Sequence, residues 1–105
     1  MRESKIRKAL KARVEAYGGE IRAVSWLGRH SAPDVLCLFP FDAPRPIGWG
    51  DEAGDGMHHP FVETKRPGKD ATEAQAREHE RMRAAGCVVV MVRDMAELDA
   101  WLPPL

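Results

Sequence analysis

The sequence lacks the features that mark several large classes of protein. No apolar run approaches the ~20 residues that a membrane-spanning helix requires. The first ten residues, MRESKIRKAL, carry charge in place of the apolar core of a signal peptide. Sixteen basic and sixteen acidic residues give a formal net charge of +0, so the chain as a whole does not attract nucleic acid, a membrane or an acidic ligand. These absences predict a soluble cytoplasmic protein in which any charged partner binds a local patch.

Cysteine is also scarce, because Cys37 and Cys87 are the only two in 105 residues. Each lies within an apolar run, which is typical of reduced, buried thiols and not of a secreted disulfide scaffold. A single disulfide between the two cysteines is also compatible with the sequence.

The apolar pattern that is present predicts one domain over residues 1–105 with the element order α-β-β-β-α-β-α. In the first helix, apolar residues recur at spacings of four, four and three, which is typical of one helix face packed on a core. A stretch rich in glycine, proline and acidic residues predicts a flexible acidic loop at about 42–57. The predicted elements are a helix over 3–17, strands over 20–26, 34–40 and 59–65, a helix over 73–85, a buried strand over 87–92, and a short helix after Asp94, which Glu97 joins in a capping box. The second strand is predicted to be buried on both faces.

Two opposite charges stand in the third predicted strand, within the segment PFVETKRPG at residues 60–68. Side chains alternate between the faces of a strand, so Glu63 and Lys65 point to the same face. The simplest interpretation is an exposed ion pair, which contributes only ~0–1 kcal/mol to stability. Asp34 favours another interpretation, because it follows a proline at the start of the preceding strand and can lie beside Glu63.

Two adjacent carboxylates repel each other, and a cation between them offsets the repulsion. Hard divalent cations prefer oxygen ligands and keep several waters, so Asp34, Glu63 and the carbonyl of Thr64 are sufficient protein ligands for Mg2+, with Mn2+ expected to substitute. Lys65 would then position or deprotonate an attacking water, or neutralise charge that develops on phosphorus in the transition state.

Together these residues resemble the PD-(D/E)xK nuclease core, and more narrowly the small stand-alone VRR-NUC domains, the virus-type replication and repair nucleases. The resemblance covers nearly the whole chain and implies an α/β (α+β) restriction-endonuclease-like fold around a mixed sheet. Ser31 departs from the family, which often has glycine at that position, and the acidic loop is long. The matching residues are Glu3, Gly18-Gly19, Arg22, Pro33-Asp34, Glu63-Thr64-Lys65, Gln75 and Gly86.

Two further polar residues have both a structural and a functional interpretation. Glu3 extends the apolar stripe of the first helix toward the interior, but it also suits the positive end of a helix's first turn. Gln75 completes a capping box with Thr72 at the start of the second helix. The resemblance implies that Glu3 contacts the metal or its water from outside and that Gln75 lies near Lys65. His79 shares the sheet-facing side of the second helix with Gln75 and is most simply a core histidine with satisfied hydrogen bonds.

The cations expected to bind DNA phosphates lie near the predicted metal site or on the first helix. A solvated charged surface is the simpler interpretation of the helix. A symmetric pair of chains would set two cutting centres about a two-fold axis, which suits a four-way junction, and the resemblance to dimeric junction-cleaving enzymes points the same way. The predicted DNA-binding residues are Arg29, Arg66, Lys69, Lys5 and Lys8.

The residues and the resemblance together predict a Mg2+-dependent endonuclease that hydrolyses phosphodiester bonds in structured DNA. The resemblance implies that it acts as a homodimer, like a Holliday-junction resolvase. Its predicted catalytic residues are Asp34, Glu63, Lys65, Gln75 and Glu3. Two alternatives remain. One is a nucleic-acid-binding module on a nuclease fold that acts with a partner and has no turnover, and the other is an interaction domain in which Glu63 and Lys65 merely form an ion pair.

Overall fold

The computed structural model describes residues 3–28, 31–44 and 59–105. These residues form three helices and four strands in the predicted order. None of the helices within them has the length and hydropathy of a membrane span. The loop predicted at about 42–57 lies outside the described residues apart from positions 42–44. The elements are α1 (Glu3–Ala16), β1 (Glu20–Ala23), β2 (Val35–Leu38), β3 (Phe61–Thr64), α2 (Glu73–Ala84), β4 (Val89–Val92) and α3 (Met95–Trp101).

Helix α1 forms because its apolar residues fall on one face, as predicted. Ile6, Leu10 and Val14 are buried along it, and Tyr17 is buried just beyond its end. Gly18 then takes a φ of 85°, a left-handed conformation that glycine adopts at little steric cost, and the helix ends there.

The four strands form one mixed sheet in the order β1-β2-β3-β4. The pairs β1–β2 and β2–β3 are antiparallel, whereas β3 and β4 are parallel and are joined through α2. A parallel pair needs a crossover of this length, because its strands run in the same direction. The predicted mixed sheet is confirmed, and β2 and β3, which carry the predicted metal ligands, are its two central strands.

The main core lies between one face of the sheet and the helices α1 and α3. The opposite face is covered less completely, because α2 packs mainly over β4. The prediction that β2 is buried on both faces is therefore wrong for its second face, where Leu36 and Leu38 are only partly buried. The core residues that the sheet contributes are Val35, Cys37, Val62 and Val92.

The two later helices begin at predicted polar caps. The Thr72 hydroxyl accepts a hydrogen bond from the Gln75 N–H at 3.1 Å, and Gln75 Oε1 accepts one from the Thr72 N–H at 2.9 Å, which confirms that capping box. Asp94 accepts a hydrogen bond from the Glu97 N–H at 2.8 Å. The second half of that predicted box is wrong, because Glu97 Oε1 accepts from the backbone and the Nε of Arg93 instead, at 3.1 and 2.8 Å. The Glu97 carboxylate therefore bonds to Arg93, the residue before the helix cap Asp94, because the Arg93 guanidinium attracts it.

The strands are shorter than the sequence predicts. After β1 the chain bends, and the indole of Trp26 donates a hydrogen bond to the Pro33 carbonyl at 2.6 Å. Pro60 has no N–H to donate to a ladder, so β3 begins at Phe61. The apolar pattern alone therefore predicts strands that are too long, because the contact of Trp26 after β1 and the missing N–H of Pro60 before β3 end the strand pairing earlier.

Both cysteines are free thiols, with Cys37 buried in the core and Cys87 partly exposed. Burial raises the pKa of the Cys37 thiol to about 12, so the group stays protonated at neutral pH and packs as a small apolar side chain. The prediction of unbridged thiols is confirmed, whereas the prediction that both are buried is wrong for Cys87.

Candidate active site

The central strands bring Asp34 and Glu63 to the same end of the sheet. In the antiparallel β2–β3 pair, Val35 lies opposite Val62. Continuing this register by one residue places Asp34 opposite Glu63, and directly opposed residues are close neighbours on one face. The register therefore places the two predicted metal ligands at neighbouring backbone positions. Their side chains contact different helices, because Asp34 accepts hydrogen bonds from Arg7 of α1. Glu63 faces His79 of α2.

Glu63 is 6% exposed, which is rare for a carboxylate without a close partner. Its Oε1 is buried and has no hydrogen-bond partner among the described residues. The pKa of the Glu63 carboxyl is raised from 4.5 to about 7, chiefly by burial and also by the negative charges of Asp34 and Glu3, while the positive charges of Lys65 and Arg7 lower it. Four charged side chains therefore act on one buried carboxyl group.

His79 approaches Glu63 from α2 on the face opposite the main core. Its Nε2 is buried, lies 3.6 Å from Glu63 Oε1, and has no hydrogen-bond partner within the described part of the chain. Burial and the positive charge of Arg83 lower the pKa of His79, so the imidazole is neutral at pH 7. The contact is therefore not an ion pair. The sequence interpretation of His79 is correct for burial and wrong for hydrogen bonding, because Nε2 faces a carboxyl group slightly beyond hydrogen-bond distance.

Thr64 is fully buried and directs its two oxygen atoms to different sides. Its hydroxyl donates to Glu3 Oε1 at 3.4 Å and accepts from Arg7 Nη2 at 3.5 Å. The N–H of the next residue, Lys65, donates to β4. Because backbone groups alternate in direction along a strand, the Thr64 carbonyl points toward the β2 side of β3, the side on which Asp34 lies. This direction agrees with the predicted role of the carbonyl as a metal ligand.

The first turns of α1 supply Glu3 and Arg7, which lie four residues apart on one helix face. Arg7 Nη2 donates to both carboxylate oxygens of Asp34, at 3.1 and 3.0 Å, and lies 3.9 Å from Glu3 Oε1. The Nε of Arg7 is buried and has no partner among the described residues. The positive charge of Arg7 therefore offsets part of the negative charge of Asp34 and Glu3.

Lys65, Arg66 and Lys69 follow Glu63 along the chain at the end of β3. The positive charge of Lys65 lowers the pKa of both Glu63 and His79, and strand alternation gives Lys65 the same face as Glu63. Arg66 and Lys69 are exposed in the turn that follows, which a hydrogen bond of 3.2 Å from the Lys69 N–H to the Arg66 carbonyl closes. Their predicted role in DNA binding is compatible with this exposure.

The remaining predicted residues have other surroundings. Gln75 caps α2 with its side chain, and its catalytic role stays a prediction. Lys5 and Lys8 are exposed on α1. Arg29 lies outside the described residues.

The oxygen atoms around Glu63 fit a hard divalent cation. Asp34 and Glu63 offer carboxylates and Thr64 offers a carbonyl, which are the ligand types that Mg2+ prefers. The unpartnered Oε1 and the raised pKa of Glu63 indicate excess negative charge, which a cation would offset. Within residues 3–28, 31–44 and 59–105, no group of three or more His, Cys, Asp or Glu side chains is arranged to hold a metal ion. Such a site would therefore depend on the carbonyl and on water for its other ligands.

Sequence analysis did not single out Arg7 as a member of the site. The available signal is its spacing of four residues from Glu3, which puts both on one helix face. That spacing also occurs in ordinary exposed ion pairs on helices, so it does not by itself indicate contact with Asp34.

Comparisons with known proteins agree with this geometry. No protein-family profile matches the chain, and no curated protein matches it. A solved structure described as a "VRR_NUC domain" is 32% identical to the chain and superposes on it with a TM-score of 0.72. The alignment covers 93% of this chain and 90% of the solved one. An identity above 30% over nearly the full length of both chains extends the likeness beyond the fold. The chain therefore belongs to the VRR_NUC family of nuclease domains, as its sequence motifs implied.

Proposed function

We propose that the protein is a Mg2+-dependent endonuclease that hydrolyses phosphodiester bonds in structured DNA, with four-way junctions as its preferred substrate. The observation that carries the proposal is the Glu63 carboxyl group, which lies opposite Asp34, is buried, and has one oxygen without a hydrogen-bond partner among the described residues. A buried polar atom without a partner costs about 1–3 kcal/mol. An interaction domain in which Glu63 merely pairs with Lys65 gives no reason to keep that cost.

Asp34, Glu63 and the Thr64 carbonyl would hold the ion. When bound, Mg2+ lowers the pKa of a coordinated water and polarises the scissile phosphate. Lys65, on the same face as Glu63, would hold the attacking water or neutralise charge that develops in the transition state. Glu3 accepts a hydrogen bond from the Thr64 hydroxyl and would keep this end of β3 in position.

A homodimer would set two of these sites about a two-fold axis and match the symmetry of a four-way junction. Arg66 and Lys69, exposed in the turn after β3, would bind phosphates near the scissile bond. The zero net charge of the chain requires such local contacts, because the whole molecule supplies no electrostatic attraction to DNA.

One contact favours a second candidate, a nucleic-acid-binding module without turnover. Arg7 donates to both oxygens of Asp34, so a metal ion must displace or share this contact before Asp34 can act as a ligand. Ca2+ often supports binding of DNA without hydrolysis, which separates the candidates. DNA binding in Ca2+ together with no cleavage in Mg2+ or Mn2+ would support the binding module.

The test is a cleavage panel of single strands, duplexes, flaps and four-way junctions, with Mg2+ or Mn2+, for the wild type and Lys65→Ala. The variant should cut at least ~100-fold more slowly, because it loses a charge aimed at the transition state. Lys65→Arg, which keeps the charge, should retain more activity, and circular dichroism should confirm that both variants fold. Cleavage by folded Lys65→Ala at the wild-type rate would refute the mechanism.

A further inference from the structure

An open groove runs along α1 beside the candidate active site. Its volume is about 510 Å3. Glu3 and Arg7 belong both to this groove and to the contacts around Asp34 and Thr64, so the groove begins where the predicted metal ligands lie. The residues that line it are Glu3, Ser4, Arg7, Lys8, Lys11 and Ile21.

The groove is basic although the chain as a whole is neutral. Arg7, Lys8 and Lys11 bring three positive charges, and Glu3 is the one acidic residue of the lining. Lys8 and Lys11 are exposed, and neither forms an ion pair with another described residue. Their ammonium groups are therefore available to an anionic ligand.

The dimensions suit one strand of nucleic acid. From Glu3 to Lys11 the helix rises about 12 Å at 1.5 Å per residue. One strand of DNA carries one phosphate per 3.4 Å of axis, so this length spans about three phosphates. Ile21, from β1, gives the opposite wall an apolar surface against which deoxyribose can pack.

We infer that the groove between α1 and β1 carries one DNA strand away from the scissile phosphate, with Lys8 and Lys11 as its phosphate contacts. The inference rests on the proposed nuclease function and adds the route of the substrate to it. It also separates Lys8 from Lys5, which the sequence grouped together. At 3.6 residues per turn, Lys5 lies about 130° around α1 from the centre of the groove-lining face and about 60° from Lys8 at its edge, and it does not line the groove.

The test measures DNA binding without turnover. A fluorescein-labelled four-way junction is titrated in Ca2+ by fluorescence anisotropy between 50 and 200 mM salt. For Lys8→Gln/Lys11→Gln, the slope of log K against log salt should fall in magnitude by about 1.4–1.8, because two phosphate contacts are lost. Lys5→Gln removes one positive charge from the same helix and serves as the control. It should alter the slope by less than half of the change that each groove lysine contributes.

A second pair of variants adds negative charge. Ser4→Asp places a carboxylate in the groove, whereas Ala12→Asp places one at an exposed position of α1 outside it. Ser4→Asp should weaken binding several-fold more than Ala12→Asp. An acidic residue is favourable in the first turn of a helix, so Ser4→Asp should also fold.

The outcomes separate this inference from the proposed function. Equal slope changes per lysine in all variants would overturn the groove as the strand path and leave the nuclease proposal standing. Groove-dependent binding without cleavage in Mg2+ or Mn2+ would support the path and refute catalysis. A wild type that binds polyglutamate but not DNA would assign the groove to an acidic protein segment and overturn the inference.

Discussion

Replacing Glu63 with glutamine isolates the effect of the buried carboxyl group on stability. The pKa of this group is about 7 in the folded protein, against an ordinary value of 4.5. Between these values the folded protein binds more protons than the unfolded chain. The stability that protonation contributes is therefore fully present below pH 4.5 and is lost as the pH rises through 7. The full loss is about 3 kcal/mol, most of which falls between pH 5 and pH 8.

Urea denaturation at pH 5 and pH 8, without divalent cations, measures this effect. Other titrating groups are common to both proteins, so the difference between Glu63→Gln and the wild type reports Glu63 alone. On going from pH 5 to pH 8, the variant should gain about 2–3 kcal/mol relative to the wild type, which is roughly 1–3 M in urea midpoint. Glu73→Gln removes a glutamate whose side chain is 96% exposed and should run parallel to the wild type.

The same denaturation experiment with Mn2+ tests whether the ionised Glu63 carboxylate binds the metal. At pH 8, Mn2+ at 100 times its Kd should stabilise the wild type by about 2.7 kcal/mol. At pH 5 the same concentration should stabilise the wild type far less, because little of Glu63 is ionised and able to bind. Glu63→Gln should lose most of the stabilisation at both values. Parallel pH profiles for the variant and the wild type would refute the reasoning, since Glu63 would then titrate near its ordinary pKa.

Two other substitutions or reagents probe neighbouring features. Arg7→Gln should strengthen Mn2+ binding in calorimetric titrations by up to about fivefold, because it removes a half-exposed ion pair with Asp34 that contributes ~0–1 kcal/mol. Weaker binding by the variant would mean that Arg7 positions the Asp34 carboxylate for the metal. Iodoacetamide should alkylate Cys87 well before Cys37 in the native protein, because only the thiolate reacts and burial raises the pKa of Cys37 to about 12. Equal rates for the two cysteines would contradict the position of Cys37 in the core.

Sequence patterns predicted the features whose causes lie within a few residues. The buried stripe of α1 follows from helical spacing, and the cap that Thr72 and Gln75 form follows from their separation of three. The common face of Glu63 and Lys65 follows from strand alternation. The neighbouring positions of Asp34 and Glu63 could also be predicted from the sequence, because consecutive strands in a short chain commonly pair.

The remaining contacts depend on groups that are distant in sequence. Arg7 reaches Asp34 across 27 residues and Thr64 across 57, so its position is set by where α1 crosses the sheet. His79 meets Glu63 because α2 lies over the second face of the sheet. No local pattern encodes either contact, and a long arginine side chain on a basic helix is compatible with simple solvation.

The position of Glu63 links the stability of the fold to the proposed chemistry. A carboxyl group at 6% exposure with an unpartnered oxygen is unfavourable for the isolated chain, and an apolar residue of similar size would stabilise β3 at neutral pH. Burial is also what would make an ion beside this carboxylate bind strongly, since screening by water is weak there. Metal binding should therefore return stability that ionisation of Glu63 removes. The domain should be measurably more stable with Mn2+ above pH 7, and hardly affected by Mn2+ where Glu63 is protonated.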